Sequence, residues 1–279
     1  MIIVELTGGL GNQMFQYAFG RSLSLMLNRQ LLIDDHAFSL SGNPDRTYNL
    51  DIFNLDIEFL NREQFNPGET VHQVFERHEN TYDKGLLEAL KQLPSDVPVK
   101  LMGYWQSYRY FDEIKAVIKA DFQYLYPLQE RWLTLGNQIK ETESVMVQVR
   151  RGDYLLAPDF HRTVSEFYLE RAIDIARNQY SNAVFYIFSD DIAWCKANIT
   201  AAEDVVFVED HFQDQHNEYI LQLMSLCKHF IIANSSFSWW AAYLGSVENS
   251  LIMAPKEWLS IPLNTADLIP DKWRQISMD

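Results

Sequence analysis

The second half of the chain constrains the fold most. Val145–Val149, Val184–Phe188, Val205–Val208, Phe230–Ala233 and Leu251–Met253 are apolar and rich in β-branched or aromatic residues. Stretches of helical period lie between them, near Ser165–Gln179, Ile192–Asn198, Glu218–Leu226 and Ser238–Leu244. Continuously apolar strands are buried on both faces, and helices between successive strands imply parallel pairing, so a doubly wound α/β domain is predicted. Ligands of such sheets bind beyond the carboxyl ends of the strands. At those ends stand Arg150-Arg151-Gly152-Asp153-Tyr154, Ser189-Asp190-Asp191 and Asn234-Ser235-Ser236-Phe237-Ser238.

The first half begins with a strand, Ile2–Leu6, a glycine turn, Gly8-Gly9-Leu10-Gly11-Asn12, and an amphipathic stretch from Gln13 to Leu27. Phe15, Phe19, Leu23 and Leu27 recur every four residues there, which predicts a helix with one buried face. A strand at Leu31–Ile33 follows. Asp34–Pro98 reads as an irregular insertion with one helix near Lys84–Leu93, then come a strand at Val99–Tyr104 and helices at Tyr110–Phe122 and Gln129–Lys140. The join falls near Gly136–Ser144, giving domains 1–140 and 141–279; 279 residues suit two domains at about 150 each.

A net charge of −15 opposes broad binding to polyanions, so nucleic acid and acidic lipid surfaces are excluded as partners. Cys195 and Cys227 are too few for a disulfide framework and lack metal-ligand spacing. Met1 to Gly9 has no basic region or cleavage site of a signal peptide. No apolar run reaches the roughly 20 residues that cross a bilayer. A soluble, cytoplasmic protein is the expectation.

The glycine turn lets a ligand approach the backbone at a helix start. With Asp34 and Asp35 after the second strand it is half of a dinucleotide fingerprint, although Met14 replaces the third glycine. A tight turn with no ligand is the alternative. The adjacent guanidinium groups of Arg150 and Arg151, in an acidic chain, imply either a bound anion or an ion pair with Asp153 or Asp190. The serine turn at Asn234–Ser238 suits a phosphate or serves as a helix cap. Asp190 and Asp191 bind a metal, or cap the next helix and hold a ribose hydroxyl. His161 is a candidate base and His229 a structural residue; His211 and His216 have no assigned role. Tyr104-Trp105-Gln106 combines flat faces with hydrogen-bonding groups, as sugar sites do, and core packing claims at least one ring.

Several motifs in order resemble the bacterial α-1,2-fucosyltransferases of glycosyltransferase family 11. They are Gly8-Gly9-Leu10-Gly11-Asn12-Gln13-Met14-Phe15-Gln16-Tyr17-Ala18, Gly103-Tyr104-Trp105-Gln106-Ser107 and Val149-Arg150-Arg151-Gly152-Asp153-Tyr154, followed by Phe188-Ser189-Asp190-Asp191. The last are Leu223–His229 and Ile232–Trp240. The resemblance implies a GT-B type fold, α/β with two Rossmann-like domains facing a cleft, the acceptor on the first and the nucleotide sugar on the second. It implies GDP-L-fucose as donor, a galactose-terminated glycan of a surface polysaccharide or O-antigen as acceptor, inversion at the anomeric carbon and no metal.

By the same resemblance Arg150 contacts the donor β-phosphate, Ser235, Ser236 and Ser238 lie beside the phosphates, and Asn12 lies near the reacting centre. Asp153 and His161 are the candidate bases. Gly9, Gly11, Gln13, Gln148, Arg151, Asp190, Asp191, Glu218, Asn234 and Phe237 complete the expected donor site, and Tyr104, Trp105 and Gln106 the acceptor site. Two positions depart from the family pattern: Gln148 stands where histidine is usual, and Ile220, with Glu218 nearby, where aspartate is usual. Both help read the base in the wider group, which leaves open a different nucleotide-deoxysugar donor. A nicotinamide-dependent oxidoreductase and a non-catalytic sugar-nucleotide-binding protein are the competing classes.

Overall fold

The computed structural model describes residues 1–41, 47–62, 71–77, 80–209, 217–261 and 266–279. Two compact units emerge, Met1–Leu125 with Ala266–Ile269, and Tyr126–Thr265 with Pro270–Asp279. The first contains β1 (Ile2–Glu5), α1 (Leu10–Leu27), β2 (Leu31–Asp34), α2 (His36–Ser41), β3 (His72–Phe75), α3 (Lys84–Lys91), β4 (Val99–Met102) and α4 (Lys115–Asp121). Its strands form a parallel sheet in the order β2-β1-β4-β3, with Ile2 opposite both Leu31 and Val99.

Three features depart from the sequence reading. Strand β3 lies inside the stretch read as irregular, because only Val74 of its four residues is buried and no apolar run marks it. The helix expected over Tyr110–Phe122 is two 3-10 turns, Tyr108–Tyr110 and Asp112–Ile114, before α4 begins; Phe111, with φ −138°, interrupts them and packs on Phe15. Helix α1 is buried on nearly every side from Leu10 to Ser24, Asn12 and Arg21 excepted. Gly20 permits this, since a Cβ there would lie 2.2 Å from Val4 Cγ2.

The second unit contains α5 (Glu130–Glu141), β5 (Glu143–Val149), α6 (Glu166–Gln179), β6 (Ala183–Ser189), α7 (Ile192–Asn198), β7 (Val205–Phe207), α8 (Asn217–Ser225), β8 (His229–Ile231), α9 (Ser236–Gly245), β9 (Ile252–Pro255) and β10 (Arg274–Ile276). The strands are all parallel, in the order β10-β9-β8-β5-β6-β7. From β5 the chain winds outward through β6 and β7, returns to β8 on the other flank of β5, and winds outward again. The gap between β5 and β8 is therefore the switch point, where a doubly wound sheet opens a crevice. The five expected strands form; β10, short and polar, had no apolar signal. Val145, Val147 and Val149 pack with Tyr168, Leu169 and Ala172 of α6 in the core.

The division falls at Leu125 rather than at 140. Helix α5 packs on β5 and α8, and a Cβ on its Gly136 would lie 2.6 Å from Leu128 Cδ1 and 3.5 Å from Leu226 Cδ1, so it belongs to the second core. His229 is structural, as expected: it accepts from the Leu251 N–H (3.0 Å), bonds Glu143 (2.8 Å) and stacks on Tyr180. Among the described residues no helix is long and apolar enough to cross a membrane.

Helices α8 and α9 meet where a Cβ on Gly245 would lie 2.2 Å from the Ser225 carbonyl oxygen. Backbone cannot swing aside as a side chain does. Gly245→Ala is expected to cost about 1–3 kcal/mol, a fall in Tm of about 2–4 °C per kcal/mol; an unchanged melting temperature would contradict this packing.

Candidate active site

Strand β5 ends at Val149 and delivers Arg150 to the switch point. The Arg150 guanidinium pairs with Asp153 (2.8 Å) and Asp190 (2.9 Å). Arg151 pairs with Asp191 (3.1 Å) and lies 4.1 Å from the centre of the Trp194 ring. An unpaired arginine couple is thus not what the fold contains: three aspartates surround the two cations, and an incoming anion competes with them. The two arginines also differ, with 31% of the Arg150 side chain exposed against 15% for Arg151. Arg150 is the more exposed of the two, and Arg151 is held in place by its carboxylate and its indole.

Asp190 shapes this loop rather than presenting itself to a ligand. Besides Arg150, its carboxylate accepts the backbone N–H groups of Arg151 (2.8 Å) and Gly152 (3.1 Å). The approach is close enough that a Cβ on Gly152 would lie 2.9 Å from Asp190 Oδ2. Asp191 caps α7 by accepting from the Trp194 N–H (3.1 Å). Among the described residues no three His, Cys, Asp or Glu side chains gather as metal ligands would.

Across the switch point, Asn234 follows β8. Its amide donates to the carbonyls of Arg162 and Trp258, both at 2.7 Å, so it fastens loops together. Its backbone carbonyl accepts from the Tyr154 hydroxyl (2.8 Å), which burial pushes up to about 12 in pKa and which also bonds Ser235. Tyr154 stacks flat on His161, ring centres 4.2 Å apart. Burial lowers the His161 pKa and so favours the neutral imidazole, whose Nδ1 has no hydrogen-bond partner among the described residues.

Ser238, expected at the phosphates, is fully buried and donates to the carbonyls of Ala233 (3.2 Å) and Ser235 (3.1 Å), so it turns into its own helix start. Ser235, Ser236 and Phe237 hold the opening turn of α9, where helix N–H groups lack intrahelical acceptors and attract anions. Gln148 is 1% exposed on β5, and among the described residues its Oε1 has no hydrogen-bond partner. Ile220 is fully buried on α8. The Glu218 side chain, His211 and His216 lie outside the described residues.

In the first unit Gly8 takes φ +75°, and a Cβ there would lie 2.6 Å from Asn12 Nδ2 and 3.2 Å from the Tyr104 ring. Gly9 caps α1, while Gly11 is buried in the first turn. Asn12 accepts from Gln106 Nε2 (2.8 Å), which brings two expected site residues together. Gln13 is corrected from a ligand contact to a brace. It is fully buried, its amide donates to the Gly8 (3.0 Å) and Thr47 (2.8 Å) carbonyls, and its oxygen accepts from the Asn49 N–H.

Gln16, which the sequence reading left without a role, is equally buried and ties the end of β1 to the end of β4. It bonds Thr7 through both amide atoms and donates to the Gly103 carbonyl (3.0 Å). Two glutamines three apart in a largely apolar helix were the available signal, because buried amides need backbone partners. Trp105 is core, not acceptor surface: 1% exposed at φ +55°, it packs on Phe19 and Tyr110. Tyr104 stays exposed. Asp34 is engaged by Arg62 (2.6 Å) and Lys100 (2.9 Å), which takes one of the two acids from the dinucleotide reading and leaves Asp35 exposed.

Replacing a carboxylate that gathers three donors, two of them backbone N–H groups, leaves donors of the loop short of an acceptor. Asp190→Asn is expected to lower stability by about 1–3 kcal/mol. Equilibrium unfolding checks this, and a loss below about 0.5 kcal/mol, the usual range of a surface substitution, would contradict the structural role given to Asp190.

The model for glycosyl transferase family 11 matches residues 1–276. An α-1,2-colitosyltransferase of Escherichia coli is 33% identical, the alignment covering 99% of each chain. A mouse galactoside 2-α-L-fucosyltransferase, Sec1, is 30% identical over 88% of this chain and 64% of that one. The crystal structure of NodZ α-1,6-fucosyltransferase soaked with GDP-fucose superposes with a TM-score of 0.56 at 16% identity, over 87% of this chain and 91% of that one, and shares the GT-B type fold. With parallel sheets in both units, the arginine loop at the switch point and a match along nearly the whole chain, the protein is a glycosyltransferase that belongs to glycosyl transferase family 11.

Proposed function

We propose that the protein transfers L-fucose, or a closely related deoxysugar, from a GDP-linked donor to a galactoside hydroxyl, forming an α-1,2 linkage with inversion. The observation that carries this reading is Arg150, partly exposed at the switch point of the second sheet and on the same crevice as the opening turn of α9. In the transfer, the acceptor oxygen bonds the anomeric carbon as the bond from that carbon to the β-phosphate oxygen breaks. The nucleoside diphosphate leaves with the bonding electrons. Arg150 and the helix start neutralise the growing negative charge where it develops, without proton transfer and without a divalent cation.

The Arg150 partners supply the second half of the chemistry. Asp153 is 45% exposed and bound to Arg150. A diphosphate that takes over the guanidinium releases this carboxylate, which then accepts the proton from the acceptor hydroxyl. His161, its neutral form favoured by burial and its ring stacked on Tyr154, is the alternative base within the same loop. Asn12 and Gln106, joined at 2.8 Å, with Tyr104 beside them, form the acceptor surface.

A second donor is favoured by one specific feature. Gln148, whose side-chain carbonyl has no partner among the described residues, stands in the second unit where histidine is usual in the family, and the first relative named above is a colitosyltransferase. The donor panel therefore includes GDP-L-fucose, GDP-colitose, GDP-mannose and UDP-galactose, with lactose as acceptor and the product linkage read by NMR. Transfer from a GDP-deoxysugar is expected, undiminished by chelator. Arg150→Ala is expected to lose about 10²–10³-fold in kcat. Transfer from UDP-galactose alone, or near-normal turnover by Arg150→Ala at saturating donor, would overturn the reading.

A further inference from the structure

The donor chemistry leaves unused a pocket of about 540 Å³ in the first unit. Edge strand β3 and the residues after it line one part, the segment from Thr81 to Asp83 with the start of α3 another. The volume lies within the range of small-ligand sites. Its chemistry is that of a neutral, hydroxyl-rich ligand. Phe75 exposes 57% of its surface, and Tyr82 adds a second ring, so flat apolar faces are offered to the C–H face of a pyranose. Gln73, Arg77 and Asp83 supply planar hydrogen-bonding groups at the same lining. One cation among two carboxylates, Glu76 and Asp83, makes no anion site.

The lining is also preorganised. The Tyr82 N–H donates to Asp267 (3.0 Å), and the Tyr110 hydroxyl accepts from the Asp83 N–H (3.0 Å) and donates to the Thr81 carbonyl (3.2 Å). Asp83 in turn caps α3 through the Leu86 N–H (2.8 Å). A wall fixed by its own hydrogen bonds loses little entropy when a ligand binds. The pocket adjoins the proposed acceptor surface: Glu76 accepts from the Tyr104 N–H (2.7 Å), and Tyr104 lies beside the Gly8–Asn12 turn.

We infer that this pocket binds the saccharide units next to the acceptor galactoside, so that the protein selects a neutral oligosaccharide over a lone galactoside. The inference rests on the transferase reading above. The variants are Phe75→Ser and Arg77→Ala, exposed residues outside the catalytic machinery. With GDP-L-fucose saturating, the KM for lacto-N-tetraose is expected to rise about fivefold to tenfold in both. The kcat, the KM for GDP-L-fucose and the KM for methyl β-D-galactopyranoside are expected to stay at wild-type values. Equal effects on both acceptors, or none on either, would overturn the inference.

Saturation-transfer NMR separates a failure of the pocket from a failure of the transferase reading. Lacto-N-tetraose is expected to show saturation transfer with the wild type that falls at least fivefold with Phe75→Ser, whether or not turnover is seen. Absence of transfer to the wild type, or equal transfer to both proteins, removes the pocket as a glycan site. Wild-type binding lost in the variant, with no turnover of any acceptor, keeps the glycan site and rejects the transferase reading.

Discussion

The Asp190 carboxylate is the contact on which the donor side of the molecule depends. It sits just beyond β6 and gathers two backbone N–H groups and a guanidinium from the loop after β5, the neighbouring strand. A carboxylate with several donors holds their geometry rigidly. The loop is therefore shaped before any ligand arrives, and Arg150 is presented rather than left to search. The chain as a whole is acidic, yet here two cations and three carboxylates nearly balance. A diphosphate entering such a site exchanges one set of charge-assisted bonds for another, and does not meet a bare positive patch.

The first unit solves the same positional problem with neutral groups. Gln13 and Gln16, both fully buried, use their amides to fix the turn after β1 and to join it to the end of β4. Gly8 accepts the left-handed backbone that lets Asn12 and Tyr104 approach each other, and Asn12 is then aligned by Gln106. Amides and a ring surround the Gly8–Asn12 turn, guanidinium and carboxylate the arginine loop. That division suits the two substrates proposed, an uncharged glycan and an anionic nucleotide, and it follows from residue types that the fold places at strand ends.

Much of this was legible in the sequence because burial on both faces writes itself as continuous apolar runs; β5, β6, β8 and β9 could hardly be read otherwise. Strands β3 and β10 were not, since an edge strand with most of its residues exposed carries no such run. The site's location followed from the fold rule for strand ends, and Arg150 stands where that rule put it. The roles of its neighbours did not follow. Whether Ser238 faces a ligand or its own helix start, or whether Trp105 is surface or core, depends on tertiary burial that neighbouring letters do not encode. The pairing of Arg150 with aspartates 3 and 40 positions away likewise mixes a local contact with one that only sheet topology brings together.

The central claim is that the nucleotide diphosphate binds at the carboxyl end of the second sheet, on Arg150 and the opening turn of α9. A crystal structure of the protein with GDP tests it most directly. The account requires the β-phosphate within hydrogen-bond distance of Arg150, with Asp153 released from that guanidinium. GDP seated instead on the glycine turn after β1, with the Arg150–Asp153 pair intact, would contradict it.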